Sequence, residues 1–273
     1  MNLLLTKSGQ KQLSSIDEIP PFDGYLVDVW GVIYDGVTKT PLANVLLQKL
    51  KAQGKVALVS NTSRSSDELL SLLAEKGVDV QLLDGIFTSG SLSYQSIRKR
   101  LTECPHHTFI MVGTPGACEW LEEFSRNKTS SIKNCDFVIA ANILSESDEQ
   151  IETIVDEVIA RELTVYSTNP DQLVNIGGNI KKAAGFFCQK VRERGGQVIE
   201  YGKPNKEIFD IALDGIAVNR LNGCMIGDSI QTDIAGGRAA FLQTILVSGC
   251  GGLQYGEQEL SQGIHDFYLK LEA

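Results

Sequence analysis

Short apolar runs alternate with amphipathic helical stretches from about residue 24 to the end of the chain. Tyr25-Leu-Val-Asp-Val-Trp30 reads as a strand buried on both faces apart from Asp28, and Lys55-Val-Ala-Leu-Val-Ser60 and Gly85-Ile-Phe-Thr-Ser89 read as the next two strands. Between them, Pro41 opens a helix carrying Leu42, Val45, Leu46, Leu47 and Leu50 that Gly54 closes. Ser65 and Glu68 make a capping box for a second helix through Leu69, Leu70, Leu72 and Leu73, ending at Gly77. The rhythm predicts further strands over Thr108–Val112, Asp136–Ala141, Thr164–Thr168, Gly223–Asp228 and Gln243–Ser248, with the run Gln-Val-Ile-Glu-Tyr-Gly following Gly196. It predicts helices around Cys118–Phe124, Glu149–Arg161 and Glu207–Leu213. Apolar runs joined by helices indicate an α/β fold, a parallel sheet with right-handed crossovers. With 273 residues the chain fits two domains of ordinary size.

Composition narrows the partners. A net charge of −9 argues against nucleic acid, whose phosphates need clustered Lys and Arg. It leaves room for a small phosphorylated ligand, which one local cationic site can hold. The six cysteines, Cys104, Cys118, Cys135, Cys188, Cys224 and Cys250, form no C-x-x-C pair and read as small core hydrophobes rather than a zinc or redox site. Leu3-Leu4-Leu5 is too short for a signal-peptide core, and no run approaches the ~20 apolar residues of a membrane span. The expectation is a cytoplasmic protein with no membrane partner.

Four segments carry polar groups where such a fold places ligands, beyond the carboxyl ends of the strands. Asp28 stands near the end of the first strand, where a buried carboxylate is costly unless paired or bound to metal; an Asp there also caps a turn, here at Gly31. Ser60-Asn61-Thr62 ends the second strand with groups suited to a phosphate oxygen or, equally, to a turn. Tyr201-Gly-Lys203-Pro204 places a lysine in a tight turn just before a helix: a surface residue in isolation, a charge-balancing one beside two carboxylates. Gly227-Asp228-Ser-Ile-Gln-Thr-Asp233 sets two carboxylates five residues apart in a loop opening into a helix, an oxygen-only arrangement that suits Mg²⁺.

Asp28-Val-Trp30-Gly31, Ser60-Asn61, Gly202-Lys203-Pro204 and Gly227-Asp228…Asp233 occur in the order of the four motifs of the haloacid dehalogenase superfamily, which the chain resembles over most of its length. The stretch between the second and third motifs looks like the α/β cap of class IIA members, with Thr168-Asn169-Pro170-Asp171, Gly177-Gly178 and Ala183-Ala184-Gly185 similar to that class's cap signature. The resemblance implies a Rossmann-like core over 1–104 and 201–273 and an inserted cap over 105–200. It implies a Mg²⁺-dependent phosphatase acting on a small phosphorylated metabolite, with Asp28 as covalent nucleophile through an aspartyl-phosphate. Ser60 and Lys203 are the implied catalytic partners. Trp30, Gly31, Ser60, Asn61, Asn169, Asp171 and Lys203 are implied to face substrate. Asp28, the Trp30 backbone carbonyl, Asp228 and Asp233 are implied to hold the metal. Class IIA relatives often pair through their caps, so a homodimer is a further expectation.

One position departs from the resemblance. Most phosphatases of the superfamily carry an acidic residue two positions after the nucleophile, which protonates the leaving group; here that position is Trp30. An indole N–H is too weak an acid for the task, whereas a backbone carbonyl survives any substitution. General acid–base catalysis contributes about 10²–10⁴-fold, so alkyl esters should suffer more than aryl or acyl phosphates. Some class IIA sequences also read Asp-x-Trp-Gly. Asp35 stands nearby as a replacement acid, although Asp35-Gly36 is foremost a turn signal. Two readings follow: an enzyme, favoured by Asp28, Ser60, Lys203 and Asp228, or a Mg²⁺- and phosphate-binding regulatory protein, favoured by Trp30. His106, His107 and His265 offer no zinc motif or triad, Gly249-Cys-Gly-Gly252 lacks dinucleotide spacing, and Trp120, Leu121 and Phe124 read as core.

Overall fold

The computed structural model describes residues 11–114, 116, 118–249 and 265–271; Leu3–Leu5 and Cys250–Gly252 lie outside them. In chain order the strands are β1 (Lys11–Leu13), β2 (Gly24–Val27), β3 (Lys55–Ser60), β4 (Gly85–Thr88), β5 (Phe109–Val112), β6 (Phe137–Ala140), β7 (Thr164–Ser167), β8 (Leu173–Ile176), β9 (Asn179–Lys182), β10 (Val198–Glu200), β11 (Gly223–Gly227), β12 (Gln243–Ser248) and β13 (Phe267–Lys270). The α-helices are α1 (Ala43–Lys51), α2 (Ser66–Glu75), α3 (Ser89–Glu103), α4 (Asp148–Ala160), α5 (Ala184–Glu193), α6 (Lys206–Gly215) and α7 (Ala235–Ala239).

Seven strands make one parallel sheet, ordered β1-β13-β12-β11-β2-β3-β4. Its central strands β2 and β11 are buried at every position because both faces are covered, as in parallel sheets generally. Tyr25, Val27, Val56 and Leu58 turn to one face, against Leu46, Leu47 and Leu50 of α1 and Leu69 and Leu73 of α2. Leu26, Ala57, Val59 and Met225 turn to the other, against Ile208, Phe209, Ala212 and Leu213 of α6. Each large apolar side chain so buried contributes about 1.5–3 kcal/mol.

A second parallel sheet, β10-β7-β6-β5, is built from residues between α3 and α6. One face packs on Ile151, Val155 and Val158 of α4 and Phe187 and Val191 of α5. Its other face, Phe109, Phe137, Ile139 and Tyr166, packs on Ile97 and Leu101 of α3 and on Leu121 and Phe124. Helix α3 is shared between the sheets. Ser89 in its first turn donates to the Thr62 and Thr168 carbonyls, while its later turns belong to the second sheet's core.

The order of the first sheet reverses at its centre. From β2 the chain moves outward through β3 and β4, and from β11 through β12 and β13 in the opposite direction. The carboxyl ends of β2 and β11 therefore flank the switch point, where ligands of open α/β sheets bind. Val27 is in register with Ile226, and the Asp28 amide continues the ladder to the Ile226 carbonyl at 2.8 Å. Asp28 and Asp228, one residue beyond each strand, are set side by side.

Several elements escape the sequence pattern. At one side of the sheet, edge strand β1 and its neighbour β13 are short and half-exposed, β1 pairing with β13 and β13 in turn with β12. Helix α3 buries Ser89, Gly90 and Ser93 alongside Ile97 and Leu101, so its inward face shows no apolar stripe. The expected helix around Cys118–Phe124 is instead a run of 3₁₀ turns over Glu119–Asn127, broken at Phe124. The expected capping box of Ser65 with Glu68 forms, and the structure adds a second, Ser147 with Gln150. The five described cysteines are free, four of them buried, as small core residues. Among the described residues no helix is long and apolar enough to cross a membrane.

Candidate active site

Asp28, Asp228 and Asp233 converge, each offering a carboxylate oxygen within 4.8 Å of the others, and all three are buried. Asp28 and Asp228 arrive from the ends of adjacent strands. Asp233 arrives from a single π turn, Ile230–Ile234, that leads into α7. That turn is fixed by its own polar groups: the Ser229 amide donates to Asp233 Oδ2 at 3.0 Å, and Ser229 Oγ accepts from the Thr232 amide. The turn also dictates Gly227, where a Cβ would stand 2.2 Å from Asp233 Cγ.

Lys203 enters from the turn before α6 and is 2% exposed. Its ammonium contacts Asp28 Oδ1, lies 2.7 Å from Asp233 Oδ1 and donates to the Val59 carbonyl at 2.9 Å. Burial alone would lower this lysine's pKa, but Asp233 and Asp28 outweigh burial and raise it above the ordinary lysine value, so the ammonium stays charged. Burial pushes Asp28 well above the usual carboxylate range; Asp233 and Asp228 push in the same direction and Lys203 opposes them. Three buried carboxylates face one ammonium. Such an excess of negative charge is costly unless a further cation shares it, and an all-oxygen donor set suits a hard divalent ion. A divalent metal fits these residues.

Asn61 has a task that the sequence did not suggest. Its Oδ1 accepts from the Lys203 amide at 2.7 Å, and its Nδ2 donates to the Lys203 carbonyl at 2.9 Å and to Asp171 Oδ1 at 2.8 Å. The side chain thus clamps the lysine's backbone and ties it to the inserted segment. The only advance signal was the Gly202 turn: Gly202 has φ +106°, and a Cβ there would stand 2.6 Å from Asn61 Oδ1. Burial raises the Asp171 carboxyl to about 6, with the Asn61 hydrogen bond pulling the other way. Asn169 Oδ1 accepts from the Asp171 amide at 3.0 Å and so holds its own turn. Ser60, 2% exposed, ends β3 next to β2, with its Oγ accepting from the Thr62 amide at 3.2 Å.

The segment after Asp28 folds back on itself. The Gly31 amide donates to the Tyr34 carbonyl at 2.9 Å, and the Trp30 and Tyr34 rings meet edge to face at 5.5 Å. Trp30 forms a wall of an open cleft of about 230 Å³ between the carboxyl ends of the two sheets. Asp35 is engaged elsewhere: it accepts from the Val37 and Thr38 amides at 2.8 and 2.7 Å. Although burial raises it, the Thr38 and Val37 bonds hold its carboxyl below the usual range, the opposite of what a proton donor needs. The turn reading of Asp35-Gly36 holds. Trp120, Leu121 and Phe124 pack with the second sheet as core. Trp120 Nε1 also donates to the Ser63 carbonyl at 2.9 Å, close to the cleft.

Residues 25–125 match the family model described as haloacid dehalogenase-like hydrolase, and residues 200–260 match one described as HAD-hydrolase-like. The chain is 27% identical to a dihydroxyacetone phosphatase of Corynebacterium glutamicum, over 82% of this chain and 80% of that one. A solved p-nitrophenyl phosphatase from Archaeoglobus fulgidus is 26% identical, with a TM-score of 0.67, covering 91% of this chain and 96% of that chain. A haloacid dehalogenase-like hydrolase from Brucella suis superposes with a TM-score of 0.81 at 22% identity, covering 94% and 98% of the two chains, a likeness of fold.

Proposed function

We propose, for a chain that belongs to class IIA of the haloacid dehalogenase-like hydrolases and is a phosphoric monoester hydrolase, that Asp28 is its nucleophile and Mg²⁺ its metal. The observation that carries this reading is the convergence of Asp28, Asp228 and Asp233 at the switch point of the sheet, with Asp28 and Asp233 both on the Lys203 ammonium.

In the first half-reaction an Asp28 carboxylate oxygen attacks phosphorus in line. The Asp28 O–P bond forms, the P–O bond to the leaving group breaks, and its electron pair goes to the leaving-group oxygen. Water then attacks phosphorus, releases inorganic phosphate and regenerates the carboxylate, so one difficult step becomes two. Lys203 holds Asp28 in place and offsets its repulsion from the incoming phosphate. Ser60 and the Gly31 segment hold the phosphoryl oxygens, and Asn61 keeps Lys203 aimed through its backbone. Asp28, Asp228 and the Trp30 backbone carbonyl would hold Mg²⁺ with Asp233 in support, and the ion would supply charge stabilisation for the phosphoryl oxygens. We assign 1–104 and 201–273 to the core and 105–200 to the cap, with α3 straddling the two and the Asn169–Asp171 turn bringing the cap onto the site.

The substrate proposed is a small phosphorylated metabolite, in keeping with the small phosphorylated compounds named for the relatives. Trp30 narrows the choice. With Trp30 in the acid's usual place and Asp35 committed to its turn, the leaving group must depart with little protonation. Aryl, enol or acyl phosphates are then favoured over alkyl ones.

The expected result with para-nitrophenyl phosphate is turnover in Mg²⁺ that EDTA abolishes and added Mg²⁺ restores. Metal-independent turnover would overturn the metal assignment. No turnover at all would favour a regulatory phosphate-binding protein. For Trp30→Asp, the rate on alkyl phosphates should rise by roughly 10²-fold or more relative to the rate on aryl phosphates. Equal changes on both classes would contradict the role given to Trp30.

A further inference from the structure

We infer that Arg64 selects for a carboxylate on the leaving group, so that the preferred substrate is a compact aryl or enol phosphate bearing a carboxylate; this rests on the phosphatase reading above.

Arg64 carries a charge that no carboxylate among the described residues balances. Arg98, Arg192, Arg194, Arg220 and Arg238 each pair with a carboxylate, Arg100 and Arg161 bond carbonyl oxygens, and Arg126 is exposed to solvent. Among the described residues Arg64 pairs with none, in a chain with a net charge of −9, and it lines the cleft beside Trp30. Among the described residues no aspartate or glutamate lines that cleft. A guanidinium left facing an acid-free, partly apolar cavity is a ready anion receptor.

The loop that carries it is built in place. Ser63 Oγ accepts from the Asn142 amide at 2.9 Å and from Thr168 Oγ1 at 2.7 Å, and the Ser63 carbonyl accepts from Trp120. Three elements of the second sheet's layer thus pin the residue before Arg64. The Arg64 amide itself donates to Thr62 Oγ1 at 3.3 Å. A backbone fixed in this way reduces the ordering cost of binding. Arg64 follows Ser60 by four residues and Trp30 follows Asp28 by two, so the loops that leave β3 and β2 with the catalytic groups also border this cleft.

Size and polarity set the rest of the ligand. The cleft holds about 230 Å³. A cavity of roughly 150 Å³ accepts benzene, so one substituted ring fits. Trp30, Tyr34, Leu72 and Ile143 give flat and apolar walls. One guanidinium balances one charge: a carboxylate matches it in both charge and planar fork geometry, whereas a second phosphate dianion would leave excess charge in the cleft. An aromatic or enol leaving group is also the kind that departs without the acid that Trp30 replaces.

The test compares kcat/KM for 4-carboxyphenyl phosphate and phenyl phosphate, in Mg²⁺, for the native protein and Arg64→Met. Both esters are assayed on the same preparation, so any loss of active protein cancels in the ratio. The ratio of carboxyphenyl to phenyl turnover is expected to fall roughly 10- to 100-fold in Arg64→Met, mainly through KM. An unchanged ratio, with both esters turned over, overturns the inference and leaves the phosphatase reading standing. Turnover of neither ester by the native protein overturns both.

Discussion

Asp28→Asn should lower turnover of every phosphate monoester by roughly 10⁴-fold or more, because an amide oxygen does not form the covalent intermediate on which the route depends. The same variant should keep its fold. The substituted amide still offers an oxygen to the Lys203 ammonium, and the backbone bond to Ile226 does not involve the side chain. Removing a negative charge from a cluster of three buried carboxylates relieves repulsion, so the melting temperature should stay level or rise. The pairing of lost activity with unimpaired stability is the signature to seek, by steady-state rates and thermal melts on one preparation. Retention of activity within tenfold of native would exclude Asp28 as nucleophile.

Lys203→Met should damage both properties. The native ammonium is buried between Asp28 and Asp233, and an apolar replacement leaves both carboxylates without it. Breaking a buried pair by removing one partner typically costs about 3–5 kcal/mol, since the remaining charge is left uncompensated. Denaturant unfolding should show a loss of that order, partly offset by added Mg²⁺, because a divalent ion takes over some of the neutralisation. Activity should fall by roughly 10²–10³-fold, the scale of losing one fixed electrostatic partner of a developing charge. A Lys203→Met protein as stable as native would mean that the pair contributes little to the fold, contrary to its burial and contacts.

How far these groups were legible in the sequence follows from what each depends on. Asp28, Ser60 and Asp228 were visible because each interrupts or ends an apolar run, and in a parallel sheet buried on both faces strand ends are where polar residues collect. The Ser65–Glu68 capping box was visible because the hydrogen bonds that define it are local. What stayed hidden is tertiary. Asn61 looked like a phosphate-facing amide, yet its partners lie 142 positions away at Lys203 and 110 away at Asp171. Strands β1 and β13 have too few residues for periodicity to register, and their pairing is set by the growing sheet edge. Helix α3 buries serine and glycine where the chain must approach Thr62 and Thr168 closely, so its inward face carries little hydrophobic signal. The hairpin of β8 and β9 turns at Gly177-Gly178, a pair visible in sequence; its exposed, weakly alternating strands gave no matching pattern. Arg64 was one more polar residue in a loop until the segments beyond the two sheets supplied the walls around it.

Single-turnover acid quench followed by mass spectrometry of the peptide containing Asp28 tests most directly whether this side chain carries the phosphoryl group. With an aryl phosphate and Mg²⁺, the phosphorylated peptide should appear at a rate no slower than product release. It should vanish on treatment with hydroxylamine, which cleaves acyl phosphates, and be absent from Asp28→Asn. Burst release of the aryl alcohol with no phosphate on that peptide, or with phosphate on another residue, would contradict the account.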